Sequence, residues 1–197
     1  LKDGELLVIL PEKTPGRFGP PQASLIERLG KEGSVASIST IAIVERQIPT
    51  DFGAEALAQA EASGAPSLQG RTDLRDIPLV TVDGIDARDF DDAIHAEPVT
   101  LDNGEPGFKL MIAIADVSAY VGHNSPLDLE AKNRGNSCYF PDQVIPMLPE
   151  TLSNGWCSLV PNEERGCLAV EIWIDEQGDK VKHRFVRGLM RSHARLT

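Results

Sequence analysis

The densest group of residues that could do chemistry is a run of aspartates in the middle of the chain. Five carboxylates and one arginine fall within ten residues: Asp83, Asp86, Arg88, Asp89, Asp91 and Asp92. Each like-charged neighbour makes ionisation more costly, so such a run is tolerated either in full solvent or around a cation. Carboxylate oxygens are hard ligands that suit Mg²⁺ or Mn²⁺. The residues alone leave two alternatives, a solvated acidic loop and a divalent-metal site.

The spacing of these aspartates indicates an irregular loop. In an extended chain Asp89 and Asp91 point the same way, whereas in a helical turn Asp89 and Asp92 share a face. Neither geometry gathers all the carboxylates, so the loop must fold back on Asp83. The EF-hand pattern is absent, because its third and fifth positions are apolar here and its sixth is not glycine. Phe90 lies inside the run, and such an apolar anchor favours a metal site over an acidic loop made for solubility.

The segments around the run predict a sheet with one helix. The predicted elements are strands at 76–83, 108–117, 167–174 and 181–189 and a helix at 126–134. The segment 108–117 is strongly apolar, which predicts a central buried strand. Pro126 and Gly135 are typical of the start and the stop of a helix.

The first third of the chain predicts a small, β-rich module. Its predicted elements are a buried strand at 5–10, a loop at 11–21, a strand or helix at 22–29, and a strand or packed helix at 34–44. A helix is predicted at 51–62, with Asp51 as its N-terminal cap. A linker rich in Ser, Gly and Pro then runs to about Gly70, where we place a domain boundary.

The net charge of −11 argues against a nucleic-acid partner, but its distribution matters more than its sum. Residues 180–197 carry six Lys or Arg, two His and no acid, which leaves 13 basic and 30 acidic residues before them. This basic stretch is compatible either with a phosphate-binding track or with a solvated edge.

Cysteine use and hydropathy predict a cytoplasmic protein. Three cysteines without a C-x-x-C pair indicate reduced thiols, and the four histidines lack the spacing of zinc ligands. No apolar run approaches the ~20 residues needed to span a membrane. The chain begins without Met, and we expect it to be an excerpt of a longer protein.

Several separated blocks of the chain resemble the ribonuclease II/ribonuclease R (RNB) family. The blocks are residues 76–93, 112–118, 133–141, 144–149, 152–159 and 192–197. Within the family, the aspartate motif looks more like bacterial ribonuclease R than ribonuclease II. The resemblance implies an α+β, mainly β fold: the end of an OB-like cold-shock domain (1–50), a helix and linker (51–70), and the N-terminal part of the mixed α/β catalytic domain (71–197).

The resemblance also implies an activity. Family members are processive 3′-to-5′ exoribonucleases that hydrolyse single-stranded RNA to nucleoside 5′-monophosphates. The expected partner is therefore single-stranded RNA and not a membrane, and the full-length protein is expected to be a monomer. Because residues that complete the family's site have no counterpart in this chain, we expect the chain alone to be inactive or nearly so. A competing class is a relative that binds RNA without cleaving it.

By similarity, four aspartates match the family's active-site carboxylates. Asp83, Asp89 and Asp92 would hold Mg²⁺, with Mn²⁺ as a substitute. Asp89 and Asp91 would be catalytic, and Asp91 would organise the attacking water or a second metal ion. The role of Asp86, outside this set of four, stays open.

Three further residues have two alternatives each. Tyr139 matches the aromatic that packs on the 3′-terminal base, but a core tyrosine is the alternative. Arg134 is assigned to the RNA backbone, with a role at its helix terminus as the alternative. Asp116 is either a hydrogen-bonded core carboxylate or a residue that orients a metal ligand.

Overall fold

The computed structural model describes residues 3–12, 22–31 and 33–197. It divides into two compact units, which are described separately. The first comprises Leu1–Asp51 and Asn136–Ile145, and the second comprises Phe52–Gly135 and Pro146–Thr197. The described residues are mainly β with a few helices, as the sequence predicted. Most of the predicted loop 11–21 lies outside the described residues.

The first unit holds two small antiparallel sheets and one helix. Its elements are β1 (Glu5–Pro11), β2 (Ala23–Lys31), α1 (Val35–Glu45), β7 (Cys138–Tyr139) and β8 (Val144–Ile145). Strand β1 pairs with β2, and β7 pairs with β8. The described part of this unit shows two-stranded sheets, so the OB-like barrel stays a prediction.

Three predictions for this unit are decided by the structure. The segment 22–29, predicted as strand or helix, is the strand β2. The strand predicted at 5–10 is present, but its burial was wrong: Ile9 and Leu10 are 52% and 59% exposed. The ambiguous segment 34–44 is a helix, because Ser34 caps it by accepting a hydrogen bond from the backbone N–H of Ser37 at 3.1 Å.

The second unit is built on one seven-stranded sheet. Its strands are β3 (Thr72–Asp73), β4 (Val80–Val82), β5 (Asp92–Thr100), β6 (Pro106–Ala115), β9 (Glu164–Asp175), β10 (Lys180–Arg191) and β11 (Ala194–Leu196). Their order is β11-β4-β5-β6-β9-β10-β3. Only the outer pairs, β11 with β4 and β10 with β3, are parallel.

The strongly apolar segment near 108–117 is the middle strand, β6, which confirms its predicted central place. The two strands predicted at 167–174 and 181–189 are confirmed as the antiparallel pair β9 and β10. The strand predicted over 76–83 is shorter, since Pro78 has no N–H to donate and Leu79 turns back to bond the carbonyl of Ile77 at 2.7 Å.

Two α-helices pack on this unit, α2 (Ala54–Glu61) and α3 (Pro126–Arg134). Helix α3 confirms the prediction, with Pro126 in its first turn and Gly135 at its end with φ of 77°. Helix α2 was predicted to be capped by Asp51, and this was wrong. Its N-cap is Gly53, which has no side chain to accept a bond, so Asp51 lies outside the helix. None of the helices in the described ranges is long and apolar enough to cross a membrane.

The core of this unit lies against one face of the sheet. Its largest buried side chains include Leu79, Met111, Leu127, Leu152 and Leu159. Phe90 from the aspartate run belongs to the same cluster and is 6% exposed. The aspartate run is therefore attached to the core by its own aromatic residue.

Candidate active site

The aspartate run is the loop that connects β4 to β5. Val80 on β4 pairs with Ile94 on β5 in an antiparallel arrangement, so the two ends of the loop lie side by side. Asp83 follows β4 directly and its backbone N–H donates to the carbonyl of Leu196 at 3.0 Å. Asp92 is the first residue of β5. The chain thus returns toward Asp83, as the spacing of the aspartates predicted.

The second half of the loop is fixed by a buried serine. Ser158 Oγ accepts a hydrogen bond from the backbone N–H of Phe90 at 3.1 Å and donates to the carbonyl of Arg88 at 2.8 Å. The carbonyl of Phe90 accepts a further bond from the N–H of Leu159 at 2.9 Å. Ser158 itself is 0% exposed. The positions of Asp89 and Asp91 follow, because they flank the anchored Phe90.

The first half of the loop is fixed by an arginine from strand β11. Arg195 Nη2 donates to the carbonyls of Gly84 and Ile85 at 2.6 and 2.7 Å. Its guanidinium lies 5.0 Å from the centre of the Phe90 ring, within the range of a cation–π contact. One side chain therefore contacts both halves of the loop.

The carboxylates of the loop share one electrostatic environment. Reduced solvation raises the pKa of Asp91, and the negative charges of Asp89, Asp92 and Asp83 raise it further. These four residues are the carboxylates that the sequence assigned to the site. In addition, Asp83 Oδ2 is buried and accepts no hydrogen bond, which leaves an oxygen lone pair to be satisfied by another group.

The chemistry of these donors fits a hard divalent cation, but their described conformation does not form a finished cage. Within the described ranges, no group of three or more His, Cys, Asp or Glu side chains is close enough to hold a metal ion. Asp83, Asp89 and Asp92 as Mg²⁺ ligands therefore stay a prediction. The buried, unsatisfied Asp83 Oδ2 is the structural feature that favours it.

Asp116 follows β6, the strand that pairs with β5 beside the end of the loop. The backbone N–H of Ala115 donates to the carbonyl of Asp91 at 2.9 Å. The Asp116 carboxylate is buried and pairs with Arg71 and Arg187, each at 2.7 Å, and with Ser118 Oγ at 2.8 Å. Burial alone would raise the pKa of Asp116, yet the hydrogen bonds from Arg187, Ser118 and Arg71 lower it to about 2.

These contacts make Asp116 a hydrogen-bonded core carboxylate, the first of its two alternatives. A role in orienting a metal ligand stays a prediction.

Comparison with known proteins identifies the family. The RNB domain matches residues 71–197. Ribonuclease R of Acidithiobacillus ferrooxidans is 43% identical over 198 residues, which cover 98% of this chain and 44% of the relative. The chain belongs to the RNB family. The resemblance seen in the sequence is thereby confirmed, and the RNB chain spans less than half the length of this curated relative.

Solved structures show the same fold. Mycoplasma genitalium RNase R in complex with ribose-methylated single-stranded RNA matches with a TM-score of 0.78 and 32% sequence identity. The match covers 89% of this chain and 27% of the RNase R chain. Yeast Ssd1, a pseudonuclease, has a TM-score of 0.70 over 98% of this chain and 25% of its own. At 16% identity, this second likeness shows the fold alone.

Arg134 of the RNB chain is packed rather than presented to solvent. Its side chain is 2% exposed, and Nε donates to Glu130 Oε1 at 3.1 Å. Nη1 donates to the carbonyl of Pro146 at 3.2 Å, and the guanidinium lies 3.6 Å from the centre of the Phe52 ring. The structure gives this residue a packing role, and its contact with the RNA backbone stays a prediction.

Tyr139 belongs to the first unit and lies on strand β7. Its 64% exposure shows that the core-tyrosine alternative was wrong. Packing of Tyr139 on the 3′-terminal base stays a prediction for this RNB chain.

Part of the positive charge in the basic stretch is neutralised within the second unit. On strand β10, Lys182 pairs with Asp102 at 2.5 Å, Arg184 pairs with Glu171, and Arg187 pairs with Asp116. Three of the six Lys and Arg in this stretch are therefore ion-paired within the unit, which neither alternative predicted, and the phosphate-binding track stays a prediction.

Sequence reasoning missed two residues that shape the loop, Ser158 and Arg195. Both lie in blocks that carry the family resemblance, at 152–159 and 192–197. The blocks could have identified them as candidates. Nothing in their residue types indicated that they contact the aspartate loop.

Proposed function

We propose that the protein is a 3′-to-5′ exoribonuclease that hydrolyses single-stranded RNA processively to nucleoside 5′-monophosphates. The observation that carries the proposal is one anchored loop that bears four carboxylates, where the charges of Asp89, Asp92 and Asp83 add to reduced solvation in raising the pKa of Asp91. Membership of the RNB family and the ribonuclease R relatives support RNA as the substrate. Mycoplasma genitalium RNase R is solved with single-stranded and with double-stranded RNA, which supports RNA as the ligand.

In this proposal Asp83, Asp89 and Asp92 hold Mg²⁺, with Mn²⁺ as a substitute. Mg²⁺ held there would supply neutralisation of the charge that develops on the scissile phosphate and a lowered pKa of water. Asp91 orients the attacking water by accepting its hydrogen bond. The reduced solvation of Asp91 strengthens this interaction, because charges and dipoles act more strongly where water is scarce.

Tyr139 takes the 3′-terminal base by stacking in the same proposal. Stacking on an aromatic ring tolerates every base, which a non-specific degrader requires. Arg134 is assigned to the RNA backbone, a role that would require its buried guanidinium to exchange protein contacts for phosphate. Cytoplasmic location and a monomeric state complete the proposal.

The test compares substitutions of two aspartates of the same loop. It uses the longest natural polypeptide that contains this chain, which we call the full-length polypeptide. We expect the wild type with Mg²⁺ to convert a 5′-labelled single-stranded RNA to a very short end product without accumulated intermediates, and to release a labelled mononucleotide at once from a 3′-labelled one. Asp91→Asn should abolish cleavage. Asp86→Asn removes the same charge outside the set of four and should retain it.

Each alternative outcome has a distinct meaning. Release of a mononucleotide from the 5′ label would contradict the direction. Equal loss in Asp86→Asn and Asp91→Asn would contradict the assignment of the four carboxylates. A wild type that binds the RNA in a gel-shift assay but leaves it intact with both Mg²⁺ and Mn²⁺ would be an RNA-binding relative without catalysis.

A further inference from the structure

The aspartate loop carries several negative charges, and its first half has few backbone hydrogen bonds of its own. Its five carboxylates, counted to Asp92, face a single arginine within the run, Arg88. In the segment 84–87 one backbone bond is described, from the N–H of Ala87 to the carbonyl of Gly84 at 3.0 Å. Mutual repulsion favours an extended loop, so its shape must come from contacts outside the run.

Arg195 supplies such contacts from the neighbouring strand. In β11, which is parallel to β4, Arg195 is in register with Thr81, and the next residue accepts the backbone N–H of Asp83. The backbone of Arg195 therefore lies beside the end of β4, where the loop begins, and its guanidinium donates to the Gly84 and Ile85 carbonyls. A charged donor makes these bonds stronger than neutral ones.

The same guanidinium also contacts Phe90 at the other side of the loop. The ring of Phe90 is held in the core, and its backbone N–H is held by Ser158. Arg195 thereby joins an exposed segment, in which Ile85 is 79% exposed, to the buried Phe90. The three contacts need a planar group with a flat face over the ring and an edge N–H toward the carbonyls, which arginine has and lysine lacks.

We propose that Arg195 is a positioning residue for the cation site: it ties the first half of the loop to the second, so that Asp83 and the carboxylates beside Phe90 come together on the ion when it binds. The inference rests on the proposed function, because it assigns a role at the same site. Arg195 contacts main-chain oxygens and an aromatic ring of the loop rather than the ligand carboxylates. Loss of a partner that bonds a metal ligand directly weakens metal affinity by roughly 10–100-fold, and we expect a loss of the same order here.

The test measures Mn²⁺ binding by the full-length polypeptide without RNA, from the electron paramagnetic resonance signal of the free ion. We expect Arg195→Met, which keeps apolar bulk and removes all donors, to bind Mn²⁺ roughly 10–100-fold more weakly. Arg195→Lys keeps the charge and one donor nitrogen and should lie between Met and the wild type. RNA affinity in EDTA should be unchanged in both variants.

Arg184→Met is the matched control. It removes the same charge from the same sheet, where Arg184 pairs with Glu171 rather than with the loop, and it should bind Mn²⁺ as the wild type does. Thermal unfolding in EDTA identifies which variants are folded. Wild-type affinity in either folded Arg195 variant overturns the inference, and so does equal weakening in the Arg184 control. If the wild type itself binds no Mn²⁺, the proposed metal site fails first.

Discussion

Replacing Asp116 by Asn tests whether the buried ion cluster at the end of β6 stabilises the second unit. Asn keeps the shape of the side chain and removes its charge. Asp116 is 1% exposed and accepts from Arg187 Nε, Arg187 Nη2 and Ser118 Oγ. Arg71, whose side chain is 10% exposed, would lose its ion-pair partner.

The magnitude follows from the pKa of Asp116 and from the burial of Arg71. Lowering that pKa from 3.8 to about 2 corresponds to about 2.5 kcal/mol, at 1.36 kcal/mol per pKa unit. Breaking a buried ion pair on one side costs roughly 3–5 kcal/mol, because it leaves an uncompensated charge. Arg187 is half exposed and regains water. We therefore expect Asp116→Asn to lower the free energy of unfolding at pH 7 by about 3 kcal/mol.

The pH dependence distinguishes the charge from the packing. Because the folded-state pKa lies below the unfolded one, the stabilisation is complete above the unfolded value. It is lost as the pH falls through the folded value, between about pH 5 and pH 1. Urea unfolding of the wild type and of Asp116→Asn at pH 7, 5, 4 and 3 gives the difference between their free energies of unfolding. This difference should become smaller at pH 4 and at pH 3. A difference below 1 kcal/mol at pH 7, or one that is constant with pH, would refute the reasoning.

Three further predictions concern packing and burial. Gly107→Ala should lower the free energy of unfolding by about 1–3 kcal/mol, because the new Cβ would lie 2.4 Å from a backbone carbonyl oxygen of the adjacent strand. Urea unfolding measures the change. Gly122→Ala is the control and should be nearly neutral, because Gly122 has open space around it. Ser158→Ala removes two loop hydrogen bonds from a buried site and should cost about 1–3 kcal/mol, with an unchanged midpoint in chemical denaturation arguing against the anchor. Iodoacetamide followed by peptide mass spectrometry should label Cys138 alone in the native protein, since burial raises the pKa of the other two thiols to about 12 and 11. Those thiols are Cys157 and Cys167; alkylation of either before unfolding would contradict their burial.

Long, apolar elements were predictable because their own residues determine them. The segment around β6 is a continuous apolar run, and it is the middle strand. Helix α3 has both of its termini marked, by a proline and a glycine. Strands β3, β5 and β11 were not predicted. Strands β3 and β11 have two and three residues and carry no period, and the polar His95 and Glu97 and the proline Pro98 interrupt the apolar residues of β5.

The helix near residue 51 shows the limit of local signals. Asp51 is a good capping residue in isolation, yet the helix begins after Gly53. The capping preference of a residue is a small free-energy difference, and tertiary packing decides which turn comes first. Burial of β1 failed for a related reason: an apolar strand is buried only if another element covers it, and its sequence does not contain that element.

The candidate site divides in the same way. The carboxylates and their loop could be read from ten consecutive residues, because charge repulsion and spacing are local properties. The groups that hold the loop could not, since Ser158 is 68 residues from Phe90 and Arg195 is 111 residues from Gly84. A hydrogen bond between distant residues leaves no spacing pattern in one sequence.

Because distant residues hold the loop by its main chain, the charges of its carboxylates affect the stability of the fold as well as the proposed catalysis. Asp83 is tied to β11, Phe90 to the segment at 158–159, and Asp91 to the end of β6. Each tie fixes main-chain atoms and leaves the carboxylate oxygens to other partners. A loop held in this way keeps mutually repelling carboxylates together in the folded state, which lowers the free energy of unfolding. A cation that binds the folded loop would raise the free energy of unfolding. Mg²⁺ should therefore raise the unfolding temperature of the wild type more than that of Asp83→Asn, and an equal rise in both would place the ion elsewhere.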